Sequence, residues 1–168
     1  MAGNIPRRTL GGTGLEVSVL GLGGFHQVEI GVDHVAALVD EYTAAAGNYI
    51  ETARSYGGGS SEEKLGRVLE GRRDEVVLVT KSGKRDAEGA WAELNASLEA
   101  LRTDHVDIWI HHGVNTEEEV DAIAGPGGAL YCSVARTGTA RIDPADGRVV
   151  WSARSSSSRS AHAPIVSG

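Results

Sequence analysis

One cysteine, Cys132, is all the chain has, so neither an internal disulfide framework nor a thiolate metal cluster is open to it, which fits an intracellular protein. Long apolar runs are missing as well. No stretch approaches the roughly 20 residues of a membrane span, and Met1–Leu10 lacks the apolar core of a secretory leader. A cytoplasmic location without membrane contact is therefore expected. Aromatic residues are scarce at 5%, while 23 of the 168 residues are glycine, so the core must be light. Positive charge is short where a nucleic-acid binder would need it. Residues 1–130 hold 11 Lys and Arg against 21 Asp and Glu, an acidic body that argues against phosphate-backbone recognition. Residues 131–168 reverse the balance with five Arg against two acidic residues, too scattered to be more than a solvated segment.

What the chain does have is a repeated apolar, strand-like run. Tyr49–Ala53 leads to Tyr56, Val76–Thr80 to Lys81 and Val106–Ile110 to His112, and Glu51 lies inside the first run. The runs are about 25 to 30 residues apart, the size of a βαβ unit, and the second is nearly continuous and β-branched, as in a strand buried on both faces. Between them lie helical patterns. Asp33 is placed to cap a helix bearing Val35, Leu38, Val39 and Tyr42, with Gly47 to stop it. Ser60 with Glu63, and Thr116 with Glu119, are capping-box patterns. Asp86 can start a third helix with Trp91, Leu94, Leu98 and Leu101 on one face. Ahead of all these, Gly11-Gly12 marks a hairpin, Val17–Leu22 reads as a strand, and Gly23-Gly24 ends it.

Strands whose C-terminal ends share one rim are how a parallel α/β barrel gathers an active site. A complete barrel of that kind takes about 250 residues, so 168 predict a partial (β/α)8, TIM-type barrel: an N-terminal hairpin plus about four βα units over 1–130. After Leu130 the pattern stops. Residues 131–168 contain no Leu, no Lys and eight Ser, and read as a disordered tail or as the product of a shifted reading frame.

Tyr56, Lys81, His112 and Glu51 suit carbonyl reduction. A proton must reach the oxygen as a hydride reaches the carbon. A tyrosine can supply it when an ammonium favours its phenolate, a carboxylate can fix that ammonium, and a neutral histidine can orient the carbonyl. Taken singly, Tyr56 is a loop tyrosine, Lys81 a solvated strand end, His112 a satisfied core histidine and Glu51 half of an ion pair. Their joint order says more. Tyr49-Ile-Glu-Thr-Ala-Arg-Ser-Tyr56-Gly57, followed by Ser61-Glu62 and Leu65-Gly66, resembles the signature of the aldo-keto reductases. Arg8–Leu15 resembles that family's N-terminal hairpin, Gly21–Gly24 its first strand end, Val79-Thr-Lys81 its lysine strand and Asp107–His112 its histidine strand.

The resemblance covers roughly residues 6–130. It implies Tyr56 as general acid/base, Lys81 as its ammonium partner, His112 as the carbonyl-orienting group and Glu51 as the carboxylate. It also implies NADPH as cofactor, with Gly24, Phe25 and Glu51 at the nicotinamide end, and a small carbonyl substrate. The family's usual carboxylate is Asp, and the extra methylene of Glu51 is expected to displace the Lys81 contact by about 1.5 Å, against a tolerance of about 0.5 Å. His111 should point away from the site. A truncated barrel would also expose an unpaired sheet edge open to self-association. Two classes follow: an NADPH-dependent carbonyl reductase impaired by truncation, or a catalytically silent fragment or edge-mediated binding module.

Other motifs fit poorly. Gly21-Leu-Gly-Gly-Phe-His26 lacks the third glycine of a dinucleotide fingerprint, and Gly83-Lys84-Arg85 lacks the Ser or Thr of a P-loop. Ser60 stands where a Tyr-xxx-Lys pairing would place lysine, and His34, His105 and His162 have no metal-ligand spacing.

Overall fold

The computed structural model describes residues 4–124, 130–134, 138–142 and 149–153. Strands β1 (Arg7–Thr9) and β2 (Glu16–Ser18) form the predicted antiparallel hairpin, turning through Gly11 and Gly14, both at positive φ. The single strand expected over Val17–Leu22 is instead two, because Ser18 bends the chain. Its Oγ donates to the Leu20 carbonyl at 2.9 Å and shares a hydrogen bond with the Tyr42 hydroxyl at 2.6 Å. Val19 and Leu20 are left exposed, and β3 is only Leu22–Gly23.

Helix α1 (Val32–Ala44) buries Val35, Val39 and Tyr42 but leaves Leu38 exposed. Asp33 is not its cap. Gly31 holds that place, and Asp33 sits in the first turn, where a negative charge suits the helix dipole. The C-terminus closes as a Schellman motif: Ala46 donates to Thr43 O and Gly47 to Tyr42 O. The left-handed residue is Ala46, at φ 65, rather than Gly47. Gly47 is needed for another reason, since a Cβ there would stand 2.3 Å from the Tyr42 ring.

Strand β4 (Tyr49–Glu51) leads through a 3₁₀ turn (Tyr56–Gly59) into α2 (Ser60–Val68). The capping box expected of Ser60 and Glu63 does not form. Gly59 at φ 101 occupies the cap position, and Ser60 is already helical, so its hydroxyl cannot turn back to a free N–H. Strand β5 (Val77–Ser82) is buried throughout, and α3 (Ala87–Ala100) starts as expected, with the Asp86 side chain accepting from Gly89 N at 2.7 Å. On α3, Leu94 and Leu98 meet the core while Trp91 is exposed. Strand β6 (Ile108–His111) is followed by α4 (Glu117–Ala124). Here the predicted capping box is present: Glu119 N donates to Thr116 Oγ1 at 3.2 Å, and Thr116 N to Glu119 Oε2 at 3.3 Å.

The strands β3-β4-β5-β6 lie in that order, all parallel, each joined to the next by a helix. One sheet face takes Ile50, Leu78 and Trp109 onto α1 and α2, where Val35, Val39, Tyr42, Leu65 and Leu69 complete the core. Burying each such side chain contributes about 1.5–3 kcal/mol. Asp107 ties β6 to β5, accepting from Leu78 N at 2.8 Å and pairing with Arg73 at 2.6 Å. The opposite face carries Glu51, Val79, Lys81, Ile108 and Ile110, by register and alternation. Within 131–168 the described segments belong to a three-stranded antiparallel sheet of β7 (Leu130–Val134), β8 (Gly138–Ile142) and β9 (Val149–Ala153). The remainder of the tail lies outside the described residues. Among the described residues no helix is long and apolar enough to cross a membrane.

Candidate active site

Parallel pairing sets Glu51 opposite Val79 and Lys81 opposite Ile110. Lys81 is therefore two residues beyond Glu51's partner, on the same face, and His112 is two beyond Lys81's. Each group is the diagonal neighbour of the last, within reach of a long side chain. Lys81 belongs to β5 itself rather than following it, and His112 continues the β6 ladder by donating its N–H to Ser82 O at 2.7 Å.

The Lys81 ammonium, in a residue only 9% exposed, has three acceptors for its three hydrogens. Glu51 Oε1 lies 2.7 Å away, the Tyr56 hydroxyl 2.9 Å and Thr52 O 3.2 Å. Burial alone would push its pKa down. The hydrogen bonds and charges of Glu51 and Tyr56 act the other way and prevail, so the pKa is raised and the group stays protonated at neutral pH. The longer side chain of Glu51 thus does not break the contact, contrary to the displacement expected from its extra methylene.

Tyr56 is hemmed in by rings. His112 meets its edge with centroids 5.6 Å apart, and Phe25 meets it at 5.2 Å, both T-shaped. Phe25 is 56% exposed and so forms an open apolar rim beside the Tyr56 ring. Gly24 donates to Glu51 O at 2.7 Å, and a Cβ on it would stand 2.6 Å from Ser61 Oγ, so the strand ends meet closely only because it has none. His111 faces away as expected, its ring on Trp109 and its Nδ1 hydrogen-bonded to Lys84 O at 3.2 Å. Burial there lowers its pKa, with Arg85 adding to the effect and the Lys84 hydrogen bond opposing it.

Several supporting residues, some of them quoted above within the signature, were given no role of their own from the sequence. Ser55 Oγ shares a hydrogen bond of 3.1 Å with His112 Nδ1. Arg85 donates to His112 O at 2.8 Å and pairs with Glu119 at 3.1 Å, joining the loops after β5 and β6. Glu62, fully buried, accepts from Arg54 at 2.8 Å and from Thr80 Oγ1 at 2.6 Å. Beside it, Ser61 Oγ shares a hydrogen bond with Thr52 Oγ1 at 2.8 Å and donates to Gly24 O at 2.9 Å. One signal could have found this pair. Ser61 and Glu62 lie on the helix face of Leu65 and Leu69, and polar residues on a buried stripe need partners.

Residues 19–137 match the model of the Aldo/keto reductase family. Over 129 residues the chain is 33% identical to the uncharacterized oxidoreductase YqkF of Bacillus subtilis, covering 68% of this chain and 41% of that protein. A putative aldo-keto reductase from Pseudomonas aeruginosa superposes with a TM-score of 0.65 at 28% identity, covering 79% of this chain and 61% of that one. An aldo/keto reductase from Klebsiella pneumoniae, solved in complex with NADP and acetate, gives a TM-score of 0.57 at 27% identity, covering 67% and 42%. The chain spans about two fifths of the length of the curated relatives YqkF and the L-galactose dehydrogenase of Arabidopsis thaliana.

Proposed function

The chain belongs to the aldo/keto reductase family of oxidoreductases, and from that premise we propose that its site serves NADPH-dependent reduction of a small aldehyde or ketone to an alcohol. The observation that carries this reading is the Lys81 ammonium held between the Glu51 carboxylate and the Tyr56 hydroxyl. Because the phenol oxygen accepts a hydrogen from Lys81, its own hydrogen is left to donate to a carbonyl oxygen. As that proton leaves, the adjacent ammonium stabilises the phenolate, and Glu51 keeps the ammonium in place. His112, whose ring packs T-shaped against that of Tyr56, would hydrogen-bond the same oxygen and align the carbonyl.

NADPH, when bound, supplies the hydride that the carbonyl carbon accepts. The residues here that suit its nicotinamide end are Phe25, with an exposed ring beside Tyr56, Gly24 at the strand end and Glu51. Phosphate sites in complete barrels commonly follow the last two of the eight parallel barrel strands. Titrating NADPH into the purified chain while following nicotinamide fluorescence tests the reading. A saturable change is expected, and none up to millimolar cofactor would overturn it.

The open strand order favours a second reading. Among the described residues, β3 and β6 each have one unpaired edge, and such edges invite pairing with another chain. On this reading the chain is a catalytically silent fragment or a binding module that uses its exposed edge, and the same edge is open to self-association. Light scattering across a concentration series tests self-association through these edges, and a strictly monomeric, folded chain excludes it.

A further inference from the structure

The loop from Gly24 to Gly31 carries Phe25, and its position over Tyr56 depends on a residue outside the proton-handling set. Lys64, on α2, donates to three carbonyls of this loop: Gln27 O at 2.9 Å, Val28 O at 3.0 Å and Ile30 O at 2.8 Å. Those contacts use every hydrogen an ammonium has. The carbonyls converge because His26–Glu29 is a short 3₁₀ turn whose last C=O groups have no partner within the turn. A cation at that end also meets the negative pole of the turn.

The same loop is pressed onto the turn that carries Tyr56. A Cβ at Gly57 would lie 2.8 Å from Val28 Cγ1, and Gly57 is itself at φ 60, so the two loops pack backbone to side chain with no room between them. Gln27, almost fully buried, adds a tie from its Nε2 to Gly23 O at 3.2 Å. Phe25 emerges from this anchored segment with its ring edge-on to Tyr56.

We propose that Lys64 is a positioning residue that clasps the β3–α1 loop and thereby holds Phe25 against Tyr56, setting the rim against which a nicotinamide or a carbonyl substrate lies. The choice of ligand rests on the function proposed above; the clasp does not. Lysine suits the task better than arginine, because three rotatable hydrogens on a compact charge can reach carbonyls that surround a point, whereas a planar fork cannot.

The test compares the full chain with Lys64→Met, which keeps the apolar stem and removes the donors, and with Lys64→Arg. Hydrogen exchange at the Gln27 and Val28 amides should speed up at least about tenfold in Lys64→Met, the scale of a single lost hydrogen bond to a charged group, since all three are removed. Exchange in β5 should not change, the ring-current shift of Phe25 on the Tyr56 resonances should diminish, and Lys64→Arg should restore the loop only in part. Where turnover is measurable, the loss should fall on KM rather than kcat. Loop exchange and Tyr56 shifts unchanged in Lys64→Met would overturn the clasp whatever the chain binds. If instead the loop loosens while the wild-type chain shows no saturable NADPH response, the clasp stands and the reductase reading fails.

Discussion

Glu51 and Lys81, on adjacent parallel strands and out of direct register, form an ion pair of 2.7 Å. Glu51 lies opposite Val79, two residues before Lys81, so the contact runs diagonally between the strands. It also fixes the ammonium from one side while the Tyr56 hydroxyl takes a second hydrogen at 2.9 Å.

Replacing the carboxylate isolates its share. Glu51→Gln leaves a largely buried ammonium facing a neutral amide, and a loss of about 1.5 kcal/mol is expected in urea unfolding, the low end for a hydrogen bond to a charged group. The low end applies because the Glu51 side chain is 35% exposed and solvent screens it. Unchanged stability would show that the pair contributes nothing.

Lys81 also sets an alkaline limit. Its folded pKa is raised above the unfolded value of about 10.4, so its contribution is full below that value and is lost as pH rises through the folded pKa. Unfolding measured at stepwise alkaline pH should show this decline, and Lys81→Met should flatten it. An equally steep decline in the variant would contradict the assignment.

His111 acts at the other end of the scale. Burial lowers its folded pKa below the unfolded value of about 6.5, so its contribution is complete above that value and is lost as pH falls through the folded pKa. His111→Gln should shrink the acid-side loss of stability seen in thermal melts between neutral and mildly acidic pH. An acid limb as deep as before would place the titration elsewhere.

Gly66 offers a test of packing against propensity. Alanine is a better helix former by about 0.8–1 kcal/mol, yet a Cβ at Gly66 would stand 2.3 Å from Ala100 O, where α2 meets the end of α3. Overpacking of this kind costs about 1–3 kcal/mol or more, and here the obstacle is backbone. Gly66→Ala should therefore lower the urea midpoint; a rise would mean that the helices separate easily.

The four residues proposed to handle the proton could be singled out because apolar runs of similar spacing each lead to or contain one of them, and because their joint order resembles a family signature. Capping was legible at Asp86, which is extended, and at Thr116, whose hydroxyl accepts from Glu119 N, and misleading at Ser60, where Gly59 at φ 101 takes the cap position. The hairpin could be read from its glycines, but the bend at Ser18 depends on Tyr42, 24 residues away. Lys64 left no trace at all. Its partners are backbone carbonyls, which carry no side-chain signature, and their convergence exists only once the 3₁₀ turn has formed.

The reaction itself can be followed by the loss of NADPH absorbance with a panel of small aldehydes, comparing the wild-type chain with Tyr56→Phe. Wild-type turnover is expected, with Tyr56→Phe retaining cofactor binding but losing about 10² to 10⁴-fold in rate, the usual worth of a positioned general acid. A Tyr56→Phe chain as active as wild type would contradict the assignment of Tyr56 as the proton donor.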